Sequence, residues 1–403
     1  MFNDDYQVAR EKIIAATDYL QQNHVDAWLI LTREGSDPAL PLIVGVRSVH
    51  EAAIFIKEDG NHTVLCSQSD YGNYQSTGLF QTVRVYEKDF EANLSDEIAQ
   101  LNPSQLMLNF SQTDHLSDGL SLGQYMMLQK LVGIEKLASI EISSESLLKQ
   151  LRGIKSPAEV ERLQKAIDLT VEIYDEVFSK LKCGLTEKEI SNFFIQGMKN
   201  RGVTSGIGSA YDPPIVCLVR AGLAHRQPGN TRVIPGDILI MDFSVKYRDY
   251  VSDIARTVYF LKEGETQAPA EINHAFETAH QAITTVIDYI GHGKKGWQVD
   301  QVGRQVIENG GFPTVRHSVG HQIGRNCHDG GVTLGPRKNY PRPEVEGEVQ
   351  VGELYAIEPT VIQDNGLPCM LVEENILITE SGARILSRRQ DDLILIPFCA
   401  EVS

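Results

Sequence analysis

A chain of 403 residues exceeds the size at which one hydrophobic core keeps growing, so two domains are the first expectation. The formal charge of −17 offers no basic face to a phosphate backbone, which speaks against nucleic acid and against an anionic membrane surface as partners. Composition is that of a globular protein, with 42% hydrophobic and 23% charged residues, and no apolar run reaches the length of a membrane span. The start MFNDDYQVAR lacks an apolar signal-like region, and Cys66, Cys183, Cys217, Cys327, Cys369 and Cys399 form no C-x-x-C pair. A cytoplasmic protein with reduced cysteines is the expectation.

In chain order, AREKIIAATDYLQQ has the spacing of an amphipathic helix and DAWLILT that of a strand. AAIFIK, HTVLC, TVRVY and LMLNF predict further strands, with helical stretches at Leu94–Leu101 and Leu122–Leu131 between them. Residues 1–150 therefore read as an α/β domain. In LRGIKSPAEV, Ser156 can cap a helix, Pro157 suits its first turn and Glu159 completes a capping box. Apolar residues keep helical spacing from there until Cys183-Gly184. Thr186 and Glu189 form a second box, and further helices are predicted near 271–290 and 299–308. Gly- and Pro-rich strand segments lie among them, so residues 151–403 read as an α+β domain around a mostly antiparallel sheet.

Two apolar strand pairs in that second half carry carboxylates. In IMDFSVKYRDYVSDI, direct pairing of Asp242 with Asp253 centres the hairpin on Tyr247-Arg248. In AIEPTVIQDNGLPCMLVEE, Glu358 and Glu373 are centred on Asn365-Gly366, the strongest short hairpin signal. Facing carboxylates inside apolar strands repel and are costly to bury, so a cation between them is expected. HSVGHQIGRNCHDG packs His317, His321 and His328, three of eleven histidines, into one glycine-rich stretch. Four carboxylates with an imidazole make a hard, oxygen-rich donor set that suits Mn, Fe or Co, and their charge balances two divalent ions. Glu374 alternates to the opposite face of its strand, Cys327 reads as packing, and GIGSA at 206–210 falls short of a phosphate loop.

The order Asp242, Asp253, His321, Glu358, Glu373 resembles that of the pita-bread metallopeptidases, the M24 family of Xaa-Pro aminopeptidase, prolidase and methionine aminopeptidase. MDFSVKYRDYVSDIARTV, HSVGHQIG and IEP followed by VEEN carry the likeness over about residues 150–400. The linker LRGIKSPAEVERL and the preceding α/β domain resemble the creatinase/prolidase branch. The resemblance implies a pita-bread catalytic domain over 151–403 behind a creatinase-type amino-terminal domain over 1–150, and a homodimer. It implies two divalent ions, foremost Mn, with Co, Fe or Zn as alternatives. Asp242 would chelate one ion, Asp253 and Glu373 would bridge, and His321 and Glu358 would hold the other. His225, His317 and His328 match histidines around the substrate, and Glu358 matches the proton shuttle. The implied reaction is attack of a bridging hydroxide on the amide of an Xaa-Pro bond, as in an aminopeptidase or dipeptidase.

Some positions depart from the family pattern. Ser244 stands where glycine is common, Ile362 where a tyrosine is frequent, and Leu371 where an arginine is frequent. A missing arginine removes a natural clamp for a substrate carboxylate. The alternative is therefore a creatinase-like hydrolase of a non-peptide amide or amidine on the same metal site.

Overall fold

Alternating segments in the first half become a single mixed sheet in the computed structural model, which describes residues 6–46, 48–87, 89–222, 226–363 and 368–398. The chain divides into two compact units, Met1–Arg152 and Gly153–Ser403. The strands of the first unit are β1 (Ala27–Thr32), β2 (Ala52–Lys57), β3 (Thr63–Cys66), β4 (Thr82–Val85), β5 (Leu106–Leu108) and β6 (Glu141–Ser143). They order β4-β3-β2-β1-β5-β6, with β1–β2 and β2–β3 antiparallel and the remaining pairs parallel. The central strands are apolar at nearly every position because both faces are covered. Trp28, Ile30 and Ile54 pack on one side with the Gln7–Asn23 helix, and Leu29, Phe55 and Leu65 pack on the other with Phe90–Leu101. The helices Gln68–Thr77 and Ile134–Ile140 and the strand β6 were not expected from the sequence; the first two are short or poorly amphipathic, so periodicity gives them little signal.

The second unit opens with the Pro157–Phe178 helix, whose Ser156–Glu159 capping box forms as read, and Glu187–Arg201 follows behind the Thr186–Glu189 box. Its strands are β7 (Thr204–Ser205), β8 (Ile215–Leu218), β9 (Ile238–Phe243), β10 (Val245–Tyr247), β11 (Tyr250–Val251) and β12 (Ile254–Phe260). Past the helices Ala270–Tyr289 and Gly296–Asn309 come β13 (Gly320–Gln322), β14 (Leu354–Ile357), β15 (Glu374–Thr379), β16 (Gly382–Ile385) and β17 (Ile394–Ile396). Three sheets result, β11-β10-β7, β17-β12-β9-β8 and β13-β14-β15-β16. Ala279, Ile283 and Val286 of the Ala270–Tyr289 helix bury their face against Ile240, Tyr355 and Ile376 in one core.

The first hairpin differs from expectation by one residue at its turn. Asp242 pairs with Ala255 and Lys246 with Val251, so the centre lies at Arg248-Asp249. Both turn residues have positive φ, 46° and 68°, as a two-residue primed turn requires. Asp253 is thus a diagonal neighbour of Asp242, not its direct partner. The partner moved by two positions, parity is kept, and both carboxylates remain on one face. The second hairpin has the expected register: Ile357 pairs with Glu374 and Val361 with Met370, which puts Glu358 opposite Glu373. Its turn, Asn365-Gly366, lies outside the described residues.

Candidate metal centre

Strand alternation gathers the candidate ligands. His321 in β13 pairs with Ala356 in β14, and Ala356 pairs with Asn375 in β15. Residues two apart share a face, so His321, Glu358, Glu373 and Asn375 line the same side of this sheet. The strands can close up beside His321 because residue 320 is glycine; a Cβ there would lie 2.5 Å from the Ala356 carbonyl oxygen. Asp253 arrives from the other hairpin. Its backbone N–H donates to Asn375 Oδ1 at 3.2 Å, and Asn375 Nδ2 donates back to its carbonyl oxygen. The N–H of Glu373 donates to the Ala255 carbonyl at 3.2 Å, so the two hairpins are joined at the carboxylates.

Ligand atoms of Asp253, His321 and Glu373 lie within 4.8 Å of one another, and all three residues are buried. His321 Nε2 is 3.6 Å from Asp253 Oδ2 and 3.6 Å from Glu358 Oε1. Its Nδ1 faces the Gln322 carbonyl at 3.3 Å. A carbonyl only accepts, so Nδ1 carries the hydrogen and the Nε2 lone pair points at the carboxylates. Burial, then the neighbouring His328, push the His321 imidazolium down to about 4, so the ring is neutral at physiological pH and able to bind a cation.

The carboxyl groups of Asp253, Glu358 and Glu373 are all held well above the ordinary range, first by burial and then by one another's charge and that of Asp242. Crowded acids with a neutral imidazole among them lack positive charge, which divalent cations would supply. The donor set therefore fits the hard ions expected of it.

Asp242 sits at the end of β9, half-buried, beside a cavity of about 240 Å³ lined by Ile207, Pro213, Pro214, Ile215 and Phe243. Ser244 donates through its hydroxyl to the Ser252 carbonyl. It is accommodated because residue 206 is glycine, where a Cβ would lie 1.8 Å from Ser244 Oγ. Glu374 does point to the opposite face, where it meets Arg256 at 3.2 Å and Ser387.

His317 lies at the rim, with Nδ1 on the Ser318 carbonyl at 2.7 Å and Nε2 on Thr360 Oγ1 at 2.8 Å. Its Nδ1 is 4.0 Å from Glu358 Oε1. Arg304, paired with Asp300, donates to the His317 carbonyl at 2.9 Å and so ties the segment before β13 to the Gly296–Asn309 helix. His328 sits beside His321, ring centres 4.2 Å apart and planes tilted by 37°, on a loop closed by Asp329. His225 lies outside the described residues.

Besides Asn375, two contributors escaped the sequence. Cys327, read as packing, donates its thiol to Asp253 Oδ2 at 2.7 Å. Tyr174, inside the Pro157–Phe178 helix, has its hydroxyl 2.9 Å from the Met241 carbonyl and 2.8 Å from that of Ile254. It braces the residue before Asp242 and the residue after Asp253. Nothing in the spacing of an apolar helix face distinguishes that tyrosine from its neighbours.

Helices around two carboxylate-bearing hairpins, with an imidazole strand beside them, define the pita-bread class, and residues 161–380 match the model of metallopeptidase family M24. The chain belongs to that family, whose enzymes are generally dinuclear and metal-dependent. An uncharacterized peptidase of Staphylococcus haemolyticus is 26% identical over 385 residues, covering 93% of this chain and 98% of the relative. The fold is shared with an X-Pro aminopeptidase from Thermotoga maritima, at a TM-score of 0.74 and 20% identity over 93% of this chain and 99% of that one. It is shared equally with an Xaa-Pro dipeptidase from Bacillus anthracis, at 0.74 and 19% identity over 96% and 100% of the chains. Among the described residues no helix is long and apolar enough to cross a membrane.

Proposed function

We propose that this metallopeptidase is a cytoplasmic, homodimeric enzyme that hydrolyses the Xaa-Pro bond of short peptides with two divalent ions, foremost Mn. The catalytic domain is assigned to residues 151–403 and a creatinase-type domain to 1–150. Asp242, Asp253, His321, Glu358 and Glu373 are assigned as the ligands. The observation that carries this reading is the convergence of Asp253, Glu358 and the neutral His321, with Nε2 3.6 Å from each carboxylate.

When bound, the ions acidify water and polarise the scissile carbonyl. The chain's own groups do the rest. Glu358, half-buried at the rim, holds a proton and delivers it to the departing prolyl nitrogen. His328 is assigned to the negative charge developing on the carbonyl oxygen, His317, held by the Ser318 carbonyl and Thr360 Oγ1, to the proline-side pocket, and His225 to the scissile amide. The cavity next to Asp242, apolar along Ile207, Pro213, Pro214, Ile215 and Phe243 and polar at Asp212, Arg226 and Gln227, accepts the side chain of the first residue.

The test is product analysis of Ala-Pro, Ala-Pro-Ala and Ala-Ala-Ala with and without Mn²⁺. Metal-dependent cleavage confined to the proline peptides supports the proposal, and the preferred length separates dipeptidase from aminopeptidase. Metal-loaded protein that cleaves none of them overturns it in favour of a non-peptide amide. Leu371, buried at 7% exposure where a carboxylate clamp could stand, favours a tripeptide over a dipeptide.

A further inference from the structure

His321 belongs to two groups of candidate ligands. One is Asp253, His321 and Glu373; the other is His321, Cys327 and His328, whose ligand atoms also lie within 4.8 Å of one another. The first is all hard oxygen and nitrogen. The second offers two imidazoles and a sulfur, a set that favours thiophilic cations such as zinc or cadmium over manganese. We propose that His321, Cys327 and His328 form a second, overlapping site that captures a thiophilic divalent cation and withdraws His321 from the carboxylate site.

The geometry is close to what such a cation needs. With metal–ligand bonds of about 2.0–2.3 Å, tetrahedral ligands stand roughly 3.4–3.8 Å apart, so a contraction of about one ångström closes the triad. The rings of His321 and His328 are already 4.2 Å apart, and Cys327 is buried at 8% exposure while His328 is exposed. His328 gives the cation a way in, and water can fill its fourth position. On capture the thiol proton passes to solvent as the sulfur–metal bond forms, which also ends the hydrogen bond from Cys327 to Asp253 Oδ2. Both consequences act on the carboxylate site. One imidazole leaves it, and the Asp253 carboxylate loses its donor.

The inference needs the metal centre but no peptide. Its test is titration of the metal-free full-length protein with cadmium chloride, read by the ultraviolet thiolate-to-cadmium charge-transfer band. The wild type should develop the band at one equivalent. Cys327→Val should lack it and bind cadmium at least about tenfold more weakly, and His328→Ala should keep the band with weaker binding. Circular dichroism verifies folding of each variant. A wild type without the band, or a Cys327→Val protein that retains it, overturns the site whether or not Mn²⁺-dependent cleavage is present. Absence of Mn²⁺-dependent cleavage in protein never exposed to cadmium, when a separate sample of that protein develops the band on titration, instead overturns the peptidase reading.

Discussion

Asn375 clasps the backbone of Asp253 from across the sheet boundary, accepting its N–H and donating to its carbonyl. The side chain is fully buried, so its removal strands one donor and one acceptor without water. Asn375→Ala should cost about 1–3 kcal/mol of stability in the metal-free protein. Because the clasp also sets where the Asp253 carboxylate points, Mn²⁺ affinity should fall roughly 10–100-fold. Thermal unfolding in chelator and Mn²⁺ calorimetry read the two effects separately. A variant less stable but with undiminished metal affinity would mean that the clasp supports the fold alone.

Asp253→Asn separates the charge of that carboxylate from its shape. In the metal-free protein the change removes one of several mutually repelling acids and should leave stability equal or raised. The response to metal should change in the opposite direction. A wild type at a hundredfold excess of Mn²⁺ over its dissociation constant gains about 2.7 kcal/mol. The variant should gain almost nothing and lose metal-dependent turnover. An undiminished Mn²⁺ shift in the melting temperature would remove Asp253 from the ligand set.

The first unit carries its own titration. Asp37 is buried and accepts hydrogen bonds from Asn109 Nδ2 and from the Ala39 N–H, but burial outweighs them and pushes its carboxyl up from 3.8 to about 6. Between those values the folded protein holds a proton that the unfolded chain has released. Stability therefore falls as pH rises from about 4 to about 6, by at most ~3 kcal/mol. Asp37→Asn lacks that titration. The melting temperature of the wild type relative to this variant should drop across the interval, and a constant difference would place the Asp37 carboxyl in its ordinary range.

The parts of the site legible in the sequence were those written as repeats of two. Alternation placed Glu358 opposite Glu373 and turned Glu374 away, and the ladder follows that register. At Asp242 and Asp253 alternation keeps the shared face, but direct facing of the two carboxylates puts the turn one residue too early. A cation bridges diagonal neighbours as readily, and the primed turn then falls on Arg248-Asp249. Contacts between the hairpins had no such signal. The thiol of Cys327 on Asp253 joins residues 74 positions apart, and the two bonds of Asn375 span 122. Spacing along one strand cannot encode either.

The turn itself offers a sharp test of that register. Arg248 and Asp249 hold φ of 46° and 68°, values that cost a residue with a side chain and suit Asn-Gly. Arg248→Asn with Asp249→Gly should therefore stabilise the protein by about 1 kcal/mol, raising its melting temperature by roughly 2–4 °C. The exposed Arg325–Asp249 pair at 3.2 Å is lost in the exchange, but a surface pair of this kind contributes little. Were the hairpin centred one residue earlier, position 249 would belong to the strand, and glycine there would lower the melting temperature. The sign of the shift decides between the two registers, and with it whether Asp242 meets Asp253 directly or on the diagonal.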